Sequence, residues 1–112
     1  MYNAIVDTAL NEVMIYEDYV DGLVPSGTAI QNLRTSYIGD TLTCDGYHMS
    51  EYFGRYTVAL TWFAELTGGS VELVTYVPPT VDQKDILAIR EAVANAIESP
   101  YTITNSTYTQ VP

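Results

Sequence analysis

The stretch Asp21-Gly22-Leu23-Val24-Pro25-Ser26-Gly27-Thr28-Ala29 decides how this chain is read. Asp21-Gly22 punctuates the sequence, because glycine reaches backbone conformations that end regular structure. Leu23 and Val24 are apolar, and residues 23–29 are expected to form a short strand and its exit. Pro25 has no amide hydrogen, which confines such a strand to a sheet edge. Upstream, Ile5, Val6, Ala9, Leu10, Val13 and Met14 recur at three- and four-residue intervals. That spacing predicts a helix over residues 2–20 with one apolar face. Asp7, Asn11, Glu12, Glu17 and Asp18 take the opposite side.

Downstream, residues 31–49 show no period and are rich in Asn, Thr, Asp and Gly, which predicts a long loop. Loops of that length tend to carry function. Ser50 is a plausible N-cap, and a helix should run from there to Leu66 and stop at Gly68-Gly69. Phe53, Tyr56, Leu60, Trp62 and Phe63 cover most of its circumference, so Trp62 and Phe63 are expected in the core. Residues 70–77 fit a short edge strand or an extended loop. Thr80 and Gln83 have capping-box spacing before a helix over residues 81–98, which Ser99-Pro100 ends. Residues 105–112 should be an irregular tail.

A strand between helices suggests an α/β unit with a parallel sheet. Parallel strands need neighbours and cover on both faces, and one strand cannot supply them. The expectation is therefore an α/β chain, mostly helical by itself, in which residues 1–104 form a segment of a larger domain that holds most of the sheet.

The chemistry-bearing residues lie in the long loop. His48 is the only histidine, and Asp45-Gly46-Tyr47-His48 places a carboxylate three positions before it. On a turn entering a helix, Asp45 can accept the imidazole Nδ1–H. That bond fixes the tautomer, leaves Nε2 free as a base and stabilises the imidazolium. Gly46 permits the tight backbone. The same residues also suit a histidine that braces the helix beside a turn-forming aspartate.

The wider pattern favours the chemical reading. Gly27-Thr28-Ala29-Ile30-Gln31-Asn32, then Gly39-Asp40-Thr41-Leu42-Thr43-Cys44-Asp45-Gly46-Tyr47-His48, then Gly54-Arg55-Tyr56 and Trp62-Phe63, resemble the C-terminal part of a bacterial domain family of unknown function. That family belongs to the SGNH, or GDSL-like, hydrolases. The resemblance spans most of residues 2–104. It implies a three-layer α/β/α fold of flavodoxin-like topology and ester hydrolysis by an acyl-serine route. It also implies that the D-x-x-H block, here Asp45 and His48, supplies the acid and the base. The serine and the oxyanion donors of such enzymes sit in earlier blocks that have no counterpart here. No G-D-S-like or G-x-S-x-G segment occurs, and Ser26 in Val24-Pro25-Ser26-Gly27 is a poor substitute. The chain alone is thus expected to be inactive. The alternative is a non-catalytic remnant or interaction module of the same fold.

Tyr47, Tyr37 and Arg34 flank the dyad and are candidate contacts for a small ester substrate such as an acylated sugar. A Cys44/His48 nucleophilic pair and a metal site built on Asp40, Asp45 and His48 are weaker alternatives. Neither thiolate-stabilising groups nor a full ligand set accompany them. No metal or cofactor is expected. The net charge of −10 over 112 residues repels phosphate backbones and anionic lipid heads, so neither nucleic acid nor a membrane surface is an expected partner. Apolar residues make up 47% of the chain, which argues against disorder. An apolar helix face left uncovered should promote self-association.

Overall fold

The computed structural model describes residues 1–112. Four α-helices account for most of the regular structure: α1 (Tyr2–Thr8), α2 (Ser26–Arg34), α3 (Gly54–Thr67) and α4 (Ile86–Glu98). A π-helical turn, Ala9–Val13, extends α1, and 3-10 turns occupy Val71–Leu73 and Gln83–Asp85. About half the chain is helical, and an antiparallel bridge between Thr43 and Met49 is the sole β-pairing. The result is a compact, α-rich unit of radius of gyration 14.0 Å.

Helices α2, α3 and α4 pack against one another around Leu33, Leu42, Leu60, Ile89, Val93 and Ala96. Asn32 sits among them, almost wholly buried. Its Nδ2 donates to the Ala92 carbonyl at 3.1 Å, and its Oδ1 accepts the Thr104 amide at 2.7 Å. One polar side chain thus ties α2, α4 and the tail together with its buried groups paired.

The expected strand over residues 23–29 does not form. Helix α2 starts at Ser26, and the Ala29 amide donates to the Pro25 carbonyl at 3.0 Å. The cause is the period of Ala29, Ile30 and Leu33, which continues across the supposed loop boundary and buries one face of a helix. Proline suits a helix start, where its missing N–H has no partner to lose. Leu23 and Val24 remain outside any helix and without a partner strand.

The long N-terminal helix is likewise shorter than its pattern suggests. It is α-helical only to Thr8, passes through the π turn and breaks into turns from Met14. No residue of α1 is buried: Tyr2 and Val6 are half-buried, the Tyr2 hydroxyl meeting that of Thr28 at 2.9 Å, and Ile5 is exposed. A helix without tertiary support retains little beyond local propensity.

Helix α3 ends at Gly68 as expected, but it begins at Gly54 rather than Ser50. The Ser50 hydroxyl does cap, accepting the Gly54 amide at 3.1 Å across a preceding turn. Trp62 and Phe63 are not core residues: they are 51% and 38% exposed. The buried stripe is Tyr56, Thr57, Leu60, Thr61 and Ala64. Thr57 and Thr61 tolerate burial because each hydroxyl donates to the carbonyl four residues back, at 2.8 Å.

Residues 70–77 take the extended-loop alternative around the Val71–Leu73 turn. Helix α4 starts at Ile86, later than expected, and stops before Ser99-Pro100. The side chain that caps its approach is Asp82, which accepts the Lys84 amide at 3.1 Å. Thr80 donates instead to the Glu51 carbonyl at 2.8 Å.

Candidate active site

Residues 42–50 fold back on themselves ahead of α3. The Ser50 amide donates to the Leu42 carbonyl at 2.9 Å, and the Cys44 amide donates to the His48 carbonyl at 2.9 Å. With the bridge between Thr43 and Met49, these bonds form a tight hairpin. Gly46 turns its tip with φ +96°, a left-handed conformation that side chains rarely adopt. The hairpin is clamped to the helix at Gly54, where an added Cβ would stand 2.4 Å from the Leu42 carbonyl oxygen.

At the tip, the Asp45 carboxylate is engaged on both oxygens. Oδ1 accepts the His48 amide at 2.8 Å and the Tyr47 amide at 3.2 Å. Oδ2 accepts Nδ1–H of His48 in a short hydrogen bond. With Nδ1 donating, neutral His48 carries its free lone pair on Nε2. The His48 amide and side chain, with a lesser contribution from the Tyr47 amide, hold the Asp45 carboxyl below the usual carboxylate range and outweigh the upward push of desolvation. The dyad lies open: the side chains of His48 and Asp45 are 66% and 41% exposed. The Tyr47 ring leans on the imidazole, with centroids 4.6 Å apart and planes 48° apart.

The other expected site residues have separate engagements. Tyr37 donates its hydroxyl to Asp85 Oδ1 at 2.5 Å, beside the Lys84 carbonyl at 3.2 Å. Burial and the Asp85 carboxylate raise its pKa far above the ordinary phenol value. Arg34 pairs with Asp40 at 3.2 Å and donates to Gln31 at 3.1 Å. Of the three flanking residues, only Tyr47 touches the dyad. Cys44 Sγ faces the His48 carbonyl at 3.5 Å rather than the imidazole. No serine hydroxyl is hydrogen-bonded to His48, and the hydroxyls of Ser36, Ser50 and Ser106 serve local backbone or carboxylate contacts.

Two concavities flank the hairpin. One, of about 450 Å³, lies between α1 and the start of α2, with Met49 and Val58 on its wall. The other, of about 780 Å³, runs between α3 and the segment after it, past Arg55, Phe63 and Tyr76. Arg55 joins the second to the dyad's hairpin, because its Nε donates to the Met49 carbonyl at 3.3 Å. The sequence reading does not single out Met49 or Arg55. Residues 31–49 carry no period that would point to Met49, and Arg55 enters the sequence pattern only within Gly54-Arg55-Tyr56, with no role attached.

A family model described as domain of unknown function (DUF4886) matches residues 1–96. The crystal structure of a DUF4886 family protein from Bacteroides uniformis ATCC 8492 is similar at a TM-score of 0.89 and 40% sequence identity. The match covers 97% of this chain and 41% of that one, so the chain spans about two fifths of the length of that relative. No curated protein matches the chain.

Proposed function

We propose, for a chain that belongs to the DUF4886 family, that Asp45 and His48 are the acid and base of an SGNH-type serine ester hydrolase whose nucleophile lies outside these 112 residues. The observation that carries this reading is the double engagement of the Asp45 carboxylate. One oxygen fixes the backbone of His48 and the other fixes its Nδ1–H. A bracing histidine needs no such tautomer control, whereas a general base does. The parent fold is a three-layer α/β/α domain, to which residues 23 and 24 contribute strand backbone.

In this mechanism His48 Nε2 takes the proton of the attacking serine hydroxyl as its oxygen bonds to the acyl carbon. The imidazolium, stabilised by Asp45, then gives that proton to the departing alcohol oxygen as the ester bond breaks. Water, deprotonated by the same nitrogen, releases the acid and restores the serine. Tyr47 stands where a substrate would meet the imidazole, and an acylated sugar fits its apolar ring face and polar tip.

A second reading is a non-catalytic module of the same fold. It is favoured by the absence of any serine hydroxyl against His48. The test is made in the longer Bacteroides uniformis relative, on p-nitrophenyl and acyl-sugar esters. Alanine at the position aligned with His48 should lower kcat by roughly 10²–10⁴-fold and change substrate binding little. An unaltered kcat removes the assignment. The present chain alone should resist labelling by a fluorophosphonate, and stoichiometric modification of Ser26 would mean that the nucleophile is internal.

A further inference from the structure

We infer that Asp21-Gly22 is a site of spontaneous aspartate isomerisation, and that the hydrogen bonds between Asp45 and His48 protect the dyad's own Asp45-Gly46 from the same reaction. The inference does not depend on the hydrolase reading, because it uses only bonds present in the chain. In this reaction the backbone nitrogen of the residue after an aspartate attacks the side-chain carbon Cγ. A C–N bond forms and a C–O bond breaks. The amide hydrogen leaves with the hydroxyl of the carboxylic acid as one molecule of water, and the product is a five-membered succinimide. Water then opens the ring at either carbonyl. One opening restores aspartate, and the other leaves isoaspartate, whose backbone runs through the β-carbon. A following glycine favours the attack, since no side chain shields its nitrogen and its backbone turns freely.

The sequence holds two Asp-Gly pairs, Asp21-Gly22 and Asp45-Gly46. The second follows from the dyad's own design: Asp45 is its carboxylate, and Gly46 turns the hairpin tip at φ +96°. The candidate site thus places a pair prone to this reaction at its centre. Both pairs are exposed, so access of water does not distinguish them.

Hydrogen bonding does distinguish them. Asp45 Oδ1 accepts the amides of Tyr47 and His48, and Oδ2 accepts Nδ1–H. The bond from the Cys44 amide to the His48 carbonyl encloses Gly46. Ring closure draws Cγ onto the Gly46 nitrogen and makes it tetrahedral, so both oxygens leave their partners, and each bond lost adds to the barrier. The same bonds favour the ionised carboxylate, whereas the neutral acid is the form that loses hydroxyl. At Asp21-Gly22 neither amide donates a hydrogen bond and neither carbonyl accepts one. The bonds that bound this segment are those from the Val20 amide to the Tyr16 carbonyl at 3.0 Å and from the Ser26 amide to the Val24 carbonyl at 2.8 Å. Nothing between them restrains the Asp21 carboxyl from meeting the Gly22 nitrogen. Isomerisation at Asp45 would lengthen the hairpin's backbone by one carbon and take the acceptor away from the imidazole. The bonds that fix the tautomer of His48 therefore also preserve the residue that makes them.

The experiment ages the 112-residue chain at neutral pH over several weeks, folded and, as a reference, unfolded in guanidinium chloride. Isoaspartate at each pair is quantified in peptides by electron-transfer fragmentation. In the unfolded chain the two pairs should react at rates within about threefold of each other, since neither keeps its hydrogen bonds. In the folded chain Asp21 should keep its unfolded rate within about threefold, while Asp45 should slow by at least about tenfold. Gly22→Ala, at a position where an added Cβ meets nothing closer than 3.9 Å, should slow the reaction at Asp21 at least about tenfold by shielding the nitrogen. His48→Ala removes the partner of Oδ2 and should speed the reaction at Asp45 by at least about threefold, with exchange at the Ser50 amide reporting that the hairpin stays closed. The inference is overturned if folded Asp45 reacts as fast as Asp21 or faster, which would mean that the donors assist ring closure. It is equally overturned by protection of Asp21 in the folded chain, or by an unchanged rate at Asp45 in His48→Ala. Esterase assays bear on none of these rates, so the hydrolase reading and this inference stand or fall separately.

Discussion

Replacing Gly54 by alanine should loosen the dyad's hairpin without touching the dyad. The new Cβ would lie 2.4 Å from the Leu42 carbonyl oxygen and 3.2 Å from Met49 Cβ. An ordinary carbon–oxygen contact is about 3.3–3.6 Å, so the carbonyl must retreat by about 1 Å. That carbonyl accepts the Ser50 amide at 2.9 Å, and a retreat of this size breaks the bond that closes the hairpin. Overpacking costs about 1–3 kcal/mol, and the lost hydrogen bond about 0.5–1.5 kcal/mol more. Alanine's better helix propensity returns up to about 1 kcal/mol. The net expectation is destabilisation by about 0.5–4.5 kcal/mol. Gly27 is the control: it lies in the first turn of α2, its φ is not positive, and an added Cβ meets nothing within 4 Å. Gly27→Ala should stabilise by about 0.4–1 kcal/mol. Urea unfolding followed by far-ultraviolet circular dichroism measures both, and hydrogen exchange at the Ser50 amide reports the hairpin. Gly54→Ala with parental stability and a protected Ser50 amide would refute the reasoning.

Three further outcomes are expected. The Asp45 carboxyl titrates below its unfolded value, so its clamp on the hairpin is fully present above the ordinary carboxylate pKa. The clamp is lost as pH falls through the depressed folded value, and exchange of the Tyr47 and His48 amides, corrected for intrinsic rates, should accelerate over that acid window. Burial pushes the Glu91 carboxyl up, but the hydroxyls of Ser106 and Thr107 and the Thr107 amide outweigh it and hold the group below its usual range. Glu91→Ala should therefore release the tail, cost about 1–2 kcal/mol at neutral pH and cost progressively less in acid, as read by urea midpoints. Trp62 should be readily quenched by acrylamide, and Trp62→Gln should shift stability by less than about 0.5 kcal/mol; a loss of several kcal/mol would return it to the core.

The sequence carries some of this architecture openly and conceals the rest for identifiable reasons. The stop at Gly68, the stop before Ser99-Pro100 and the capping role of Ser50 are legible because each depends on one residue's local chemistry. The contact between Asp45 and His48 is legible from their spacing and the glycine between them. The start of α2 is hidden because the helix begins directly after Pro25 and its apolar period runs on into the polar stretch after Ile30. The orientation of α3 is hidden because two threonines take the buried stripe while Trp62, Phe63 and Leu66 lie outside it. Side-chain polarity misleads there, since each threonine hydroxyl is satisfied inside its own helix. The early end of α1 follows from what it lacks, a surface within the chain on which to bury Ile5, Leu10 and Val13.

The placement of the dyad separates two requirements that the proposed general base must meet. Its internal geometry is local, since Asp45 fixes His48 and Tyr47 through bonds that span two or three residues. No distant element is needed to set the tautomer, and the hairpin can keep it while other surfaces of the chain stand uncovered. Its position is tertiary: the close approach of Leu42 to Gly54 and the bond from Arg55 to the Met49 carbonyl fix the hairpin on the first turn of α3. An imidazole held in this way is oriented before any ligand arrives, and the general-base role proposed for His48 would draw on preorganisation of that kind. The division also dictates how damage should sort. Changes at Asp45 should alter the imidazole's tautomer and leave folding nearly intact, whereas changes at Gly54 or Arg55 should shift an intact dyad relative to α3. Comparing the His48 tautomer by nitrogen-15 NMR in Asp45→Asn and in Gly54→Ala separates the two. The first should lose the Nδ1–H form and the second should keep it, and loss of that form in Gly54→Ala would show that the tautomer depends on the helix after all.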